Sequence, residues 1–258
     1  GHRIDTVEFH PHYHRVMEAA IGHGVAGLSW AQPVPGAHVA RAALGYLHYQ
    51  AEPGSSCPLT MTHAAVPVLA RAPALHGWVE KVAACRYDPR DLPMADKAGV
   101  TVGMGMTEKQ GGSDVRANTT TATPLPGGDE YLLRGHKWFF SAPMCDGFLV
   151  LAQAPGGLTC FFLPRWTPDG ELNALRFQRL KDKLGNRSNA SGEVEFEGAL
   201  AWRVGEEGRG VPTIIEMVGY TRLDNVLGSA GVQRQALVRA LHHARHRTAF
   251  HRRLADQP

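Results

Sequence analysis

Residues 214–241 place the strongest constraint on what this chain can fold into. Ile214, Val218, Leu223, Val226, Leu227, Ala230, Leu237 and Leu241 recur at helical spacing and draw an apolar stripe along one long segment. A helix of that length is not stable alone in water; it has to bury its stripe against neighbours. The chain ends at Pro258, so those neighbours are expected to lie outside it.

Two changes of texture divide the rest. Residues 1–97 read as helical: Val39 to Leu47 is Ala-rich with apolar residues at helical spacing, and Leu75 to Ala83 is a second such segment. Pro53-Gly54 and Pro73 punctuate them, and Tyr87 to Pro93 reads as an irregular link. Residues 98–208 read as short strands with turns between them. Val100 to Val102, the Thr-rich Asn118 to Thr123, Glu130 to Leu133, Phe148 to Ala152 and Leu158 to Leu163 are the clearest; Gly156-Gly157 is a hairpin signal, and Glu193 to Glu197 alternates with one wet face. A small barrel or sandwich is expected there. Residues 209–258 return to a helix. The fold class is therefore α+β, in the order helical, β, helical.

Composition excludes several function classes. The chain is 43% hydrophobic and 20% charged, as in an ordinary globular protein. No stretch approaches the ~18 apolar residues of a membrane span, and the first residues lack the apolar core of a secretory signal. A net charge of +3 is too small to argue for nucleic acid, and the basic run Arg239 to Arg253 reads as a solvated helix face. Cys57, Cys85, Cys145 and Cys160 form no metal or redox pair, which fits reduced thiols in the cytoplasm. The histidines at 10, 12 and 14, and at 242, 243 and 246, have no carboxylate or thiol at ligand spacing, so no metal site is expected. The missing initiator Met suggests a piece of a longer protein.

Three segments could carry chemistry. Gly103-Met104-Gly105-Met106-Thr107-Glu108-Lys109-Gln110-Gly111-Gly112-Ser113-Asp114 is dense in glycine and hydroxyls, so backbone N–H groups can approach an anionic or carbonyl-rich ligand with no Cβ in the way. Glu108 stands where a dinucleotide fingerprint needs its third glycine, and no phosphate-loop Lys follows; by spacing alone this is a turn between strands. In Gly135-His136-Lys137-Trp138-Phe139-Phe140-Ser141 the aromatics should alternate between two faces of a strand. One face reads as core; the other offers a ring for stacking, with Ser141 supplying a hydroxyl. Arg179 to Ser191 reads as a polar loop beside a ligand or a subunit contact.

Taken in order, Met106-Thr107-Glu108, Gly112-Ser113-Asp114, Lys137 to Ser141, Lys183-Leu184-Gly185 and Thr221-Arg222 resemble the acyl-CoA dehydrogenase superfamily. Segments 106–120, 135–141 and 180–191 are similar in particular to its AidB alkylation-response branch, and the resemblance runs over essentially the whole chain. It implies an N-terminal helical domain (1–97), a middle β domain (98–208) and the start of a C-terminal helical bundle (209–258), with FAD between the last two. By position it implies FAD contacts at Met104, Gly105, Met106, Thr107, Gly112 and Ser113. Thr107 would meet the pyrimidine side, and Ser113 would lie near the pyrophosphate or the edge of the acyl site. It implies further contacts at Phe139, Phe140 and Ser141. Phe139 stands where the family has a Trp against the isoalloxazine, and keeps stacking without the indole N–H. Ser141 stands where it has a Thr near flavin N5. Arg247, Thr248, Ala249 and Phe250 resemble a segment that reaches a neighbouring subunit's FAD, which implies a homo-oligomer, dimer or tetramer; His251 departs from the family's Gly there. Ser113 and Arg222 are the implied substrate contacts.

The family reaction removes a proton α to an acyl thioester while a β-hydride passes to flavin N5, and it needs a carboxylate base. Thr221 occupies the place where a minority of the family has a Glu, and Glu108, Glu216 and Asp224 match no base position, so the base is expected beyond Pro258 and the chain alone is expected to be inactive. Lys109-Gln110-Gly111-Gly112 replaces the family's Pro and Gly-x-Gly, which changes the approach for a fatty acyl-CoA. The resemblance thus implies an oxidoreductase acting on a short or branched acyl-CoA-like molecule and linked to the response to DNA alkylation. The second reading is a DNA-associated protective flavoprotein with little turnover, its DNA contact lying in the C-terminal region outside this chain. Cys85-Arg86 lacks the Pro and His of a methyl acceptor, so direct demethylation is not expected.

Overall fold

Helix α4 (Ser56–Leu69) explains how the halves of the molecule join. All but two of its positions are buried, because it lies between other elements on every side. The Thr62 hydroxyl receives the Val102 amide at 3.0 Å, tying this helix to the first strand. Around it, in a computed structural model that describes residues 1–258, stand α1 (Pro11–Gly22), α2 (Leu28–Ala31), α3 (Ala37–Ala51) and α5 (His76–Ala83).

The strands are β1 (Val102–Thr107), β2 (Thr121–Pro124), β3 (Glu130–Ser141), β4 (Gly147–Ala154), β5 (Gly157–Pro164), β6 (Leu175–Leu180) and β7 (Ser191–Val204). They form one sheet, and its pairings close on themselves: β1 pairs with β4, β4 with β5, β5 with β7, β7 with β3, and β3 with β1. β2 and β6 extend this ring. Closure leaves few free edges; the interior fills with Phe140, Phe148, Phe161 and Phe196, while Phe162, next to Phe161 on β5, points out toward the helices. Trp78 of α5 meets Phe162 edge-on with centroids 4.7 Å apart, so helices and barrel share one core.

The sequence placed Gly103 and Gly105 in a loop after a strand; both lie inside β1 itself. The reason is steric. A Cβ on Gly103 would stand 2.7 Å from the Phe148 ring, and one on Gly105 would stand 2.5 Å from that of Phe140. These glycines make room for aromatic rings inside the barrel, not for a ligand outside it.

A second difference concerns the long helix, α6 (Gly210–His246). Its buried residues are Gly210, Thr213, Ile214, Met217, Thr221, Asp224, Gly228 and Gly231, at helical spacing. Gly228 and Gly231 lie against Tyr49 and Tyr46 of α3. Asp224 takes a two-pronged contact from buried Arg41 and a hydroxyl hydrogen bond from Thr60. Most of the apolar stripe read from sequence faces away: Leu223, Val226, Leu237 and Leu241 are exposed, together with Val232 and Val238.

α6 stops at His246, and the chain turns back through β8 (Thr248–Ala249) and β9 (Arg252–Arg253). The last part of the basic run, read from sequence as a continuous helix face, is therefore a small hairpin over 248–253. Phe250 and His251 take positive φ at its tip, and Phe250 is 91% exposed.

Candidate functional site

Two of the segments singled out by sequence lie side by side. β1 and β3 run antiparallel with Met104 opposite Ser141 and Thr107 opposite Phe139. Directly opposed residues share a face. Met104, Thr107 and Ser141 are half-buried and Phe139 is 42% exposed, so this is the outer face of the barrel wall.

The row of aromatics does not alternate as a regular strand would. The register of β3 against β7 shifts between Lys137 and Phe140, and that of β1 against β3 shifts between Met104 and Thr107. Such bulges turn consecutive side chains to one side. Lys137 and Phe140 point inward and are fully buried, while Trp138 and Phe139 both point outward. Phe140, expected with the ligand-facing residues, is in the barrel core, 4.4 Å from Phe148 between ring centroids. Cations gather on the outer rings: Lys181 Nζ lies 3.4 Å from the Trp138 centroid and 5.1 Å from that of Phe139.

Behind this face lies a feature that the sequence reading left out. Lys137 Nζ donates to Glu108 Oε1 and to the Leu151 carbonyl, each at 2.7 Å, and neither charged side chain is exposed. Glu108 also accepts from the Thr119 amide at 2.7 Å, the Thr119 hydroxyl at 2.9 Å and the Thr120 amide at 3.1 Å. Burial raises the Glu108 pKa, but the ammonium and these donors outweigh it and hold the carboxyl at about 2. Burial draws Lys137 down to about 8 against the pull of Glu108. A lysine between a histidine and three aromatics was the one visible sign, since a charge in an inward strand position needs a partner.

Gly112 and Ser113 lie on the exposed turn after β1, with Gly112 against the Thr107 hydroxyl. At the far end of β3, Ser141 pairs with Ser191, and Ala142 N donates to the Ala190 carbonyl at 3.0 Å, which brings the 181–191 loop beside it. Cys57, at the start of α4, sits here too. Burial pushes its thiol up, opposed by hydrogen bonds with Ser141 and Asn189 and by the Lys183 charge. Arg222 is exposed on α6. Arg247, Thr248, Ala249 and Phe250 lie at the other end of that helix, which at ~1.5 Å per residue is about 55 Å long, so they do not join the β1–β3 face of the same chain. The three remaining carboxylates considered from sequence are ion-paired: Glu108 with Lys137, Glu216 with Arg71 and Asp224 with Arg41.

A separate cavity of about 520 Å³ is lined by Phe9, Tyr13, Met17, Tyr87, Met144 and Asp146 among others, and by none of the β1 or β3 residues above. No group of three or more His, Cys, Asp or Glu side chains is arranged to hold a metal ion. No helix is long and apolar enough to cross a membrane.

Comparison with known families gives the class. Residues 103–199 match the acyl-CoA dehydrogenase middle domain and residues 208–258 its C-terminal domain, while residues 1–89 match the adaptive response protein AidB N-terminal domain. The chain belongs to the acyl-CoA dehydrogenase superfamily, a family of oxidoreductases that are typically FAD-dependent, in the AidB-type branch. It is 52% identical over its full length to AidB of Escherichia coli (strain K12), covering 48% of that protein. It is 32% identical over 97% of its length to acyl-CoA dehydrogenase family member 11 of Caenorhabditis elegans, covering 42% of it. The chain thus spans about half the length of the curated relatives it matches. Among solved structures, Caenorhabditis elegans ACDH-11 in complex with C11-CoA superposes with a TM-score of 0.90 at 28% identity, over 100% of this chain and 45% of that one. The apo-form of Bd2924 gives 0.90 at 31% identity, over 100% and 52%.

Proposed function

We propose that this chain supplies the FAD-binding wall of an AidB-type oxidoreductase acting on a short or branched acyl-CoA-like molecule. The observation that carries the reading is the pairing of Thr107 with Phe139 and of Met104 with Ser141 on one outward face. A half-exposed ring flanked by two hydroxyls fits a planar heterocycle that must be both stacked and hydrogen-bonded. When bound, FAD supplies the acceptor for a hydride leaving the β carbon of the acyl group.

The chain's own residues bind and orient. Phe139 offers a stacking surface, Thr107 and Ser141 offer hydroxyls at its two ends, and the exposed Ser113 and Arg222 would serve the substrate side. Glu108, Glu216 and Asp224 are each ion-paired and not free to take a proton, so on this reading none of the three is the base. The exposed Phe250 hairpin supports a homo-oligomer in which Arg247 to Phe250 reach a neighbouring subunit. The C11-CoA bound by the Caenorhabditis elegans relative supports an acyl-CoA ligand, and the AidB-type N-terminal domain supports a link to the adaptive response.

The test uses the full-length protein. It is expected to purify yellow or to take up added FAD, to lose affinity on Thr107→Ala or Ser141→Ala, and to bleach under anaerobic isovaleryl-CoA. Protein that stays colourless with excess FAD refutes the reading. Retained flavin with no bleaching by any acyl-CoA, together with salt-sensitive DNA binding, would favour the protective role instead.

A further inference from the structure

We infer that the buried Glu108–Lys137 pair is a positioning device that fixes the spacing and facing of the two flavin-side segments, Thr107 and Phe139; this rests on the proposed FAD-binding function.

The placement is specific. Glu108 directly follows Thr107, and Lys137 stands two residues before Phe139. The pair lies where both strands change register. The bulge in β3 has two inward anchors. One is Phe140, held among Phe148 and Phe196. The other is Lys137, held by Glu108 and the Leu151 carbonyl. With both anchors inside, the two residues between them, Trp138 and Phe139, have to turn out. A strand alternating regularly from Lys137 would point Phe139 into the barrel.

Glu108 acts on a second element at the same time. Its carboxylate gathers the amides of Thr119 and Thr120 and the Thr119 hydroxyl, which closes the exposed 109–118 turn back onto the barrel. The Lys109 amide donates to His136 Nε2 at 3.1 Å, and Asn118 Nδ2 donates to the Met106 carbonyl at 2.9 Å, along the same seam. One carboxylate therefore links the turn carrying Gly112 and Ser113 to the strand carrying Phe139. An apolar pair of matching size would fill the space as well, and burying two charges is unfavourable unless they are fully paired. The pair adds geometry that an apolar filling lacks: it ties three backbone segments to one point.

The test separates placement from packing. In the full-length protein, Glu108→Leu/Lys137→Met fills the same volume without charges. The barrel is expected to fold, with apo-protein Tm within a few degrees of wild type. The Kd for FAD is expected to rise at least tenfold, and any flavin still bound should show shifted visible absorption bands. Glu108→Gln keeps the shape and one acceptor for Thr119 and Thr120, and should show the same effects at a smaller size, roughly threefold in Kd. Wild-type affinity and an unshifted spectrum in the folded double variant overturn the inference while leaving FAD binding standing. If the double variant does not fold, a Glu108→Gln protein indistinguishable from wild type in both readouts overturns it equally. Wild-type protein that binds no FAD refutes the functional reading instead.

Discussion

Adding one methyl group at Gly105 tests whether the barrel interior is packed as described. A Cβ there would stand 2.5 Å and 2.7 Å from two ring carbons of Phe140 and 3.4 Å from Lys137 Cγ. Ordinary carbon contacts lie at ~3.5–4.0 Å, so the overlap with the ring is about 1 Å. Phe140 has no room to withdraw: it is fully buried, 4.4 Å from Phe148 and 6.2 Å from Phe196 between centroids. The strand has to shift instead. Overpacking of this kind costs ~1–3 kcal/mol, and Ala recovers ~0.5–1 kcal/mol over Gly through chain entropy. An overlap of about 1 Å on a ring that cannot move belongs in the upper half of that range, ~2–3 kcal/mol, so the net loss for Gly105→Ala is about 1–2.5 kcal/mol, or roughly 2–10 °C in Tm for a chain of this size. Urea and thermal unfolding of Gly105→Ala, Phe140→Leu and the double variant form a mutant cycle. The smaller Leu makes room for the methyl, so the double variant should lose less than the sum of the singles by at least ~0.5 kcal/mol. A Gly105→Ala protein as stable as wild type, or strict additivity in the cycle, refutes the packing account.

Further outcomes follow from the buried charges and the hairpin. Asp224→Ala leaves the Arg41 guanidinium buried and unpaired and should cost ~3–5 kcal/mol, whereas Arg41→Met/Asp224→Leu should recover most of it by denaturant unfolding. His63 is held neutral, first by burial and then by the Arg41 charge, with its pKa at about 3 instead of 6.5. The unfolded chain takes up that proton first, so stability should fall as pH drops from about 6.5 toward 3, and His63→Phe should flatten this slope. Glu108, lowered to about 2, stabilises fully above its ordinary 4.5 and loses that contribution as pH falls through 2. Phe250→Ser should weaken self-association of the full-length protein in sedimentation and leave its monomer Tm unchanged within about 1 °C, since an exposed residue contributes little to the fold.

Much of the architecture was legible because it rests on local periodicity. The β4–β5 hairpin follows from two apolar runs around Gly156-Gly157, and the wet edge of β7 from the alternation at Glu193 to Glu197. What stayed hidden depends on partners distant in sequence. The buried face of α6 is built from Thr221, Asp224, Gly228 and Gly231, residues that look solvent-facing until Arg41, Tyr46 and Tyr49 are seen against them. The outward turn of Phe139 depends on a bulge, which adds one residue to one strand and leaves no period to read. The role of Gly105 is set by a ring on another strand, 35 residues later. Family likeness placed Thr107, Phe139 and Ser141 together, whereas Lys137 and Glu108 needed coordinates, because a charge pair inside a barrel runs against every sequence-level expectation of exposure.

The uncovered side of α6 has a practical consequence for handling this stretch of polypeptide by itself. Leu223, Val226, Val232, Leu237, Val238 and Leu241 present oil-like surface to water along one rod. Attraction between such surfaces strengthens on warming and fades in the cold. Solutions of this chain by itself should therefore cloud as temperature rises, well before the barrel melts, and clear again when chilled.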